Sequence, residues 1–154
     1  MAGNAILLDA NLLVLLLVGR IDARQIGTFK RTQAYDEKAF QLLNTLLSSF
    51  RQIVTTSHIL TEASNLLDFQ GKLRAVARDE LAAFTQASLE VLQPSSEVVQ
   101  QRTCTDLGLT DAAIRLASEG RDLVVLSDDL PLHLALERDG FQSFNFSYIR
   151  AQTR

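Results

Sequence analysis

Four carboxylates stand where the surrounding patterns would bring them together: Asp9 closing AILLD, Glu62 in ILTEASNLL, Asp111 in GLTDAAI and Asp129 in VVLSDD. Acids held close repel one another unless a cation neutralises them, so the set proposes a hard-metal site before any other chemistry. The chain carries 18 Asp and Glu residues, and each of the four must be weighed against a plainer role. Asp9 could serve as a turn or cap residue, as Asn11 could, but an acid closing a buried strand must be hydrated, capped or metal-bound. Glu62 has Ile59, Ala63 and Leu66 as helical neighbours, which puts it on an apolar stripe where an unpartnered carboxylate is costly. Its plainer reading is a glutamate at the edge of that stripe. Asp111 follows Thr110 in the first turn of a helix, where the helix dipole alone favours an acid. Asp106, five residues earlier, is a weaker candidate. Asp128 and Asp129 follow an apolar run with Ser127 between, so one can cap the next helix while the other points into a crevice; the sequence leaves open which.

The elements that must position these acids alternate in type. Short apolar or β-branched runs predict strands over 5–8, 52–55, 89–92, 123–126 and 142–146. Between them, an all-apolar helix over 12–18 stops at Gly19, and Asp36 caps a helix to about Ser49 with Phe40, Leu43, Leu47 and Phe50 on one face. Thr56 or Ser57 caps the helix that carries Glu62. Another over 72–86 turns Leu73, Val76, Leu81 and Phe84 inward. One more starts at Ser95 or Ser96 and ends near Gly108, Thr110 caps the next as far as Gly120, and a last spans 130–138. Residues 19–34 are polar and basic, which predicts a long surface excursion. The alternation implies one domain over 1–154, a three-layer α/β/α sandwich around a mainly parallel sheet. In such sheets ligands bind beyond the carboxyl ends of the strands, where Asp9, Asp128 and Asp129 fall.

Composition narrows the function classes. With 47% hydrophobic and 21% charged residues, neither disorder nor a membrane protein is favoured. The apolar run 12–18 is too short to cross a bilayer and no basic leader precedes it, which predicts a cytoplasmic protein. Cys104 is the single cysteine, so neither an intramolecular disulfide nor a thiol zinc site is available and it reads as a small core residue. His58 and His133 read as surface or helix-start residues. A net charge of −3 gives no global attraction for a polyanion, but the basic residues gather: Arg20, Arg24, Lys30 and Arg31 in one segment, Lys72, Arg74 and Arg78 in another, Arg150 and Arg154 at the tail. Such clusters are commonly solvated faces, yet phosphate contacts need this chemistry if the acidic cleft faces a nucleic acid.

The order LLDAN, TEASNLL, GLTDAAIRLA and VVLSDD followed by LHLALERDGF resembles the PIN domain family, whose members include the ribonuclease toxins of VapBC toxin–antitoxin pairs. The resemblance extends over residues 6–146. It implies an α/β/α fold whose four acids gather at one end of a parallel sheet and bind Mg²⁺ or Mn²⁺ for phosphodiester hydrolysis, with Asp9, Glu62, Asp111 and Asp129 as those acids. Asn11 and Ser127 match small polar residues that orient carboxylates or water. Two features depart from the pattern: residues 19–34 are longer and more basic than the usual link, and Asp128 adds an acid that could be a further ligand.

On this reading the protein is a metal-dependent endoribonuclease acting on single-stranded RNA, with an antitoxin partner and a homodimer implied by the resemblance. Oxygen ligands favour Mg²⁺ or Mn²⁺ over zinc. Aromatic residues are few and tryptophan is absent, so affinity would lean on Arg20, Arg24, Lys30 and Arg31 holding phosphates. Two other readings stand beside it: a non-catalytic PIN-like scaffold binding RNA or protein, and a haloacid dehalogenase-like phosphatase, whose DxD motif is broken here by Asn11.

Overall fold

The computed structural model describes residues 3–153; Met1, Ala2 and the tail residue Arg154 lie outside them. Five parallel strands, β1 (Gly3–Leu8), β2 (Phe50–Thr56), β3 (Leu89–Val91), β4 (Leu123–Ser127) and β5 (Gln142–Asn145), form one sheet in the order β3-β2-β1-β4-β5. β4 is buried along its whole length, as expected of a strand covered on both faces, whereas edge strand β5 alternates, burying only Ser143 and Asn145. Helices α1 (Ala10–Ile21), α2 (Glu37–Ser48), α3 (Ser57–Leu66), α4 (Lys72–Ala87), α5 (Ser95–Val98), α6 (Arg102–Leu107), α7 (Leu109–Ser118), α8 (Leu130–Arg138) and α9 (Phe146–Gln152) flank the sheet in a three-layer α/β/α sandwich. Among the described residues no helix is long and apolar enough to cross a membrane.

The topology fixes where a site can be. After β1 the chain builds β2 and β3 on one side, then returns to add β4 on the other side of β1 and β5 beyond it. The carboxyl ends of β1 and β4 therefore flank the point at which strand order reverses, where an open α/β sheet leaves a crevice. Local signals set the elements that reach it. The side chains of Asp36 and Thr56 accept from the backbone N–H of Ala39 (2.8 Å) and Ile59 (3.2 Å), capping α2 and α3. All of Leu12 to Val18 is buried in α1.

Several elements depart from the sequence expectation. α1 does not stop at Gly19 but continues to Ile21, because the glycine gives room to a neighbour: a Cβ there would lie 2.2 Å from the Phe40 ring. Residues 22–34 are docked and not a free excursion. Ile26 and Thr32 are fully buried, the Thr32 hydroxyl donates to the Ile26 carbonyl at 2.7 Å, and Phe29 stacks on Phe69 with ring centroids 4.3 Å apart. On α4 the inward stripe is Leu73, Ala77, Leu81 and Phe84, leaving Val76 exposed. The single helix expected after Ser95 is two, since bonds of i+3 type at Gln100 and Gln101 end α5 while buried Val98 anchors it on Ala112 and Ala113. Gly108, at φ 101°, precedes α7 in place of Thr110, with no side-chain cap. Phe50 opens β2, and Phe146 opens α9, which Asn145 caps by accepting from Tyr148 N–H at 3.2 Å.

Substituting Gly19→Ala should lower stability by about 1–2 kcal/mol, overpacking against Phe40 outweighing the gain of about 1 kcal/mol in helix propensity. Urea unfolding checks this; Phe40→Leu in the same chain should recover part of the loss, and an unchanged midpoint for the single variant would contradict the packing account.

Candidate functional site

β1 and β4 end side by side, and their terminal residues are tied through one carboxylate. Asp9, 5% exposed, caps α1 by accepting from Leu12 N–H at 3.0 Å with Oδ1. Its Oδ2 accepts from the Ser127 hydroxyl and, at 3.1 Å, from the Asp128 N–H. Burial nonetheless pushes Asp9 up to about 6; the hydrogen bonds from Ser127, Leu12 and Asp128 oppose that rise, and the charge of Asp128 adds to it. Ser127 is thus placed as expected, orienting a carboxylate, and its oxygen also accepts from Asp129 N–H at 2.9 Å.

The two acids after β4 divide the work. Asp129 Oδ1 caps α8 by accepting from Leu132 N–H at 3.1 Å. Asp128 is held on both oxygens: Oδ2 accepts from the Tyr35 hydroxyl at 2.6 Å, and Oδ1 from the Ser147 N–H at 2.9 Å and the Ser147 hydroxyl. Burial, the hydrogen bond to Asp128 and the negative charges of Asp128 and Asp9 push the Tyr35 phenol far up, keeping it a donor, while Arg150 opposes the rise from 5.3 Å over its ring. Asp128 therefore clamps β4 to α9 and to residue 35.

Asp111 completes the group. It lies half-buried in the first turn of α7, and burial pushes it up to about 7, reinforced by the like charges of Asp129, Asp9 and Glu62 in that order, with no hydrogen bond offsetting them. Asp111 thus lies within reach of the fields of the other three acids singled out from the sequence. The ion pairs among the described residues go elsewhere, to Asp22, Asp36, Asp68, Glu119, Glu137 and Asp139. Among the described residues no three His, Cys, Asp or Glu side chains form a preassembled metal cage.

The other candidate residues are placed as follows. Glu62 is exposed and not embedded in the apolar stripe; Ile59 and Ala63, one turn apart, carry the burial, and Glu62 stands beside them facing an open groove of about 450 Å³ lined also by Asn65, Ser95 and Thr110. Asn11 is exposed in the first turn of α1. Arg24 is held by Asp22 at 3.0 Å, and Lys30 and Arg31 lie 3.3 and 3.9 Å from Asp68, so of the four predicted phosphate contacts Arg20 alone makes no ion pair among the described residues. His133 is buried against Ser143, 2.7 Å from its hydroxyl, while His58 sits in the first turn of α3 with Nε2 3.1 Å from Ser95 Oγ. Cys104 is half-buried, packed against the small cluster of Val98, Ala112 and Ala113, and Asp106 is exposed on α6. Tyr35, Ser147 and Arg150 were not anticipated. Tyr35 follows the stretch read as an excursion and the other two lie past the expected last strand, so no spacing tied them to Asp128.

A scan against protein-family models gives no match for this chain, and a search of curated proteins gives none.

Because the folded Asp111 holds its proton up to about pH 7 while the unfolded chain releases it near 3.8, its contribution to stability is complete below pH 3.8. It is lost as pH rises through about 7. Asp111→Asn should therefore match the metal-free wild type at pH 3.5 and exceed it at pH 8 by about 1–2 kcal/mol, solvent screening of a half-buried group being allowed for. Urea titrations at the two pH values check this, and equal stability at pH 8 would contradict the crowding of charge.

Proposed function

We propose that this protein is a Mg²⁺- or Mn²⁺-dependent endoribonuclease of the PIN type that hydrolyses phosphodiester bonds in single-stranded RNA. The observation that carries the reading is geometric: Asp9 and Asp129 follow the adjacent strands β1 and β4 at the switch point of the sheet, and no ion pair among the described residues relieves them; the rise of Asp111 to about 7 under the charges of Asp129, Asp9 and Glu62 fits that crowding. Such a set gains most from a hard divalent cation. The donors fit one: all are carboxylate oxygens, and Mg²⁺ keeps several waters and needs only one or two carboxylates, so a closed cage of three is not required.

One or two of Asp9, Asp111 and Asp129 would hold the ion, with Glu62 as a further ligand or as the group that orients the attacking water. A bound divalent cation supplies charge neutralisation at the anionic diester and lowers the pKa of that water. The protein's part is positioning. Ser127 Oγ and the Asp128 N–H fix the Asp9 carboxylate. Asp129 spends Oδ1 on the α8 cap. Glu62, exposed on the groove, can take a proton from water at its carboxylate. Asp128, with both oxygens engaged by Tyr35 and Ser147, acts as a clamp between β4 and α9. An antitoxin partner, homodimerisation and a cytoplasmic setting join this reading through the resemblance alone.

Asp111→Asn and Glu62→Gln are the cleanest probes, because neither side chain caps a helix. Asp9→Asn would also abolish cleavage, but it sets an amide against the Asp128 N–H. Each should lower Mg²⁺- or Mn²⁺-dependent cleavage of single-stranded RNA by about 10²-fold or more. EDTA should remove wild-type activity and fresh Mn²⁺ restore it. Full activity in Asp111→Asn, or cleavage that persists in EDTA, would overturn the proposal.

A further inference from the structure

Beyond the carboxylates, a pocket of about 300 Å³ opens between the end of α3 and α4, and Arg74 and Arg78 line it. The two lie one helical turn apart and so share a face. Neither makes an ion pair among the described residues. The acid that lines the pocket with them, Asp68, is already engaged by Lys30 at 3.3 Å and Arg31 at 3.9 Å. A contrast is offered by the pocket at Arg115 and Arg138, whose guanidiniums are taken by Glu119 and Asp139.

The pocket is not isolated. Asn65 lines both it and the groove that contains Glu62. At its far end Asp68, Phe69 and Gln70 are shared with a third groove that reaches Lys30. Shared lining residues thus link the three depressions, from Glu62 past Asn65 to Arg74 and Arg78 and on to Lys30. From Glu62 to the end of α3 the helix rises about 6 Å, a step of roughly one or two nucleotides.

We infer that Arg74 and Arg78 hold backbone phosphates of a single-stranded RNA whose scissile bond lies over the carboxylate cluster. The inference rests on the nuclease reading and adds the path of the substrate. Two unpaired guanidinium forks suit phosphate oxygens, which they bind in bidentate fashion. An acidic protein segment laid along the same surface would meet Glu62 and its neighbours at the near end and be repelled, whereas a phosphodiester arrives there with a divalent cation. The sequence placed the phosphate contacts at Arg20, Arg24, Lys30 and Arg31; the free guanidiniums of the linked depressions lie instead on α4.

The test is fluorescence-anisotropy titration of labelled single-stranded RNA of 4 and 12 nucleotides in an Asp111→Asn background, where cleavage does not erode the probe. Arg74→Gln with Arg78→Gln should weaken binding of the 12-mer about tenfold or more at 0.1 M salt. It should also reduce the slope of log K against log salt by about 1.4, or ~0.7 per phosphate on a single strand. The 4-mer should lose less. The paired Arg→Lys variants should keep the slope, which separates lost charge from lost fold. Unchanged affinity and slope overturn the inference, as does Arg-dependent capture of polyglutamate by a protein that ignores RNA. Cleavage by the wild-type chain, assayed in parallel, decides the nuclease reading separately: cleavage with Arg-independent binding sinks the path alone, and Arg-dependent binding without cleavage sinks the nuclease alone.

Discussion

A carboxylate with 5% of its surface exposed must be supplied with hydrogen bonds or give up its charge, and Asp9 receives three, from Leu12, Ser127 and Asp128. Those bonds come from the first turn of α1 and from the end of β4, so the residue that follows β1 also sets where β4 delivers Ser127, Asp128 and Asp129. The backbone agrees: the Asp9 N–H donates to the Leu126 carbonyl at 3.2 Å, carrying the pairing of β1 with β4 to its last rung. Position of the site and registry of the central strands are thus one arrangement, not two.

Around that link the structure separates charges that are satisfied from charges that are not. Asp128 is fully engaged by Tyr35 and Ser147, which draws residue 35 and α9 onto the end of β4. Asp111 has burial and three like charges against it, and among the described residues no hydrogen bond or ion pair to offset them. A fold selected for stability alone would carry a neutral residue at the opening of α7, since unpaired repulsion of this kind is a cost that function can justify. The same division recurs among the cations. Arg24, Lys30 and Arg31 are spent on local acids, while Arg74 and Arg78 are left to solvent or to a ligand.

The architecture was legible because each signal was local. A run such as Leu-Val-Val-Leu is long enough and apolar enough to be a covered strand, and Asp36 and Thr56 are caps whose partners lie three residues on. Strand–helix alternation then dictated the parallel sandwich, and the carboxyl-end rule pointed to Asp9, Asp128 and Asp129. What could not be read depended on distant partners. Gly19 reads as a stop signal until Phe40 is known to fill its side-chain space. Residues 22–34 read as loose until Phe29 is seen against Phe69. Glu62 was placed on the correct helix but at the wrong depth, because the stripe of α3 is narrower than three neighbours suggested. The choice between Asp128 and Asp129 needed Tyr35 and Ser147, which lie 93 and 19 residues away in sequence.

The central claim, that acids converging beyond β1 and β4 require a divalent cation, can be met head-on by titrating Mn²⁺ into isotopically labelled protein and following paramagnetic broadening of its amide signals. The account predicts that amides at Asp9, Ser127 to Asp129 and the first turn of α7 broaden first, and that those of residues 23–34 and of α4 stay sharp until much higher metal concentration. Broadening spread evenly over the surface acids, or none at the ends of β1 and β4, would contradict it.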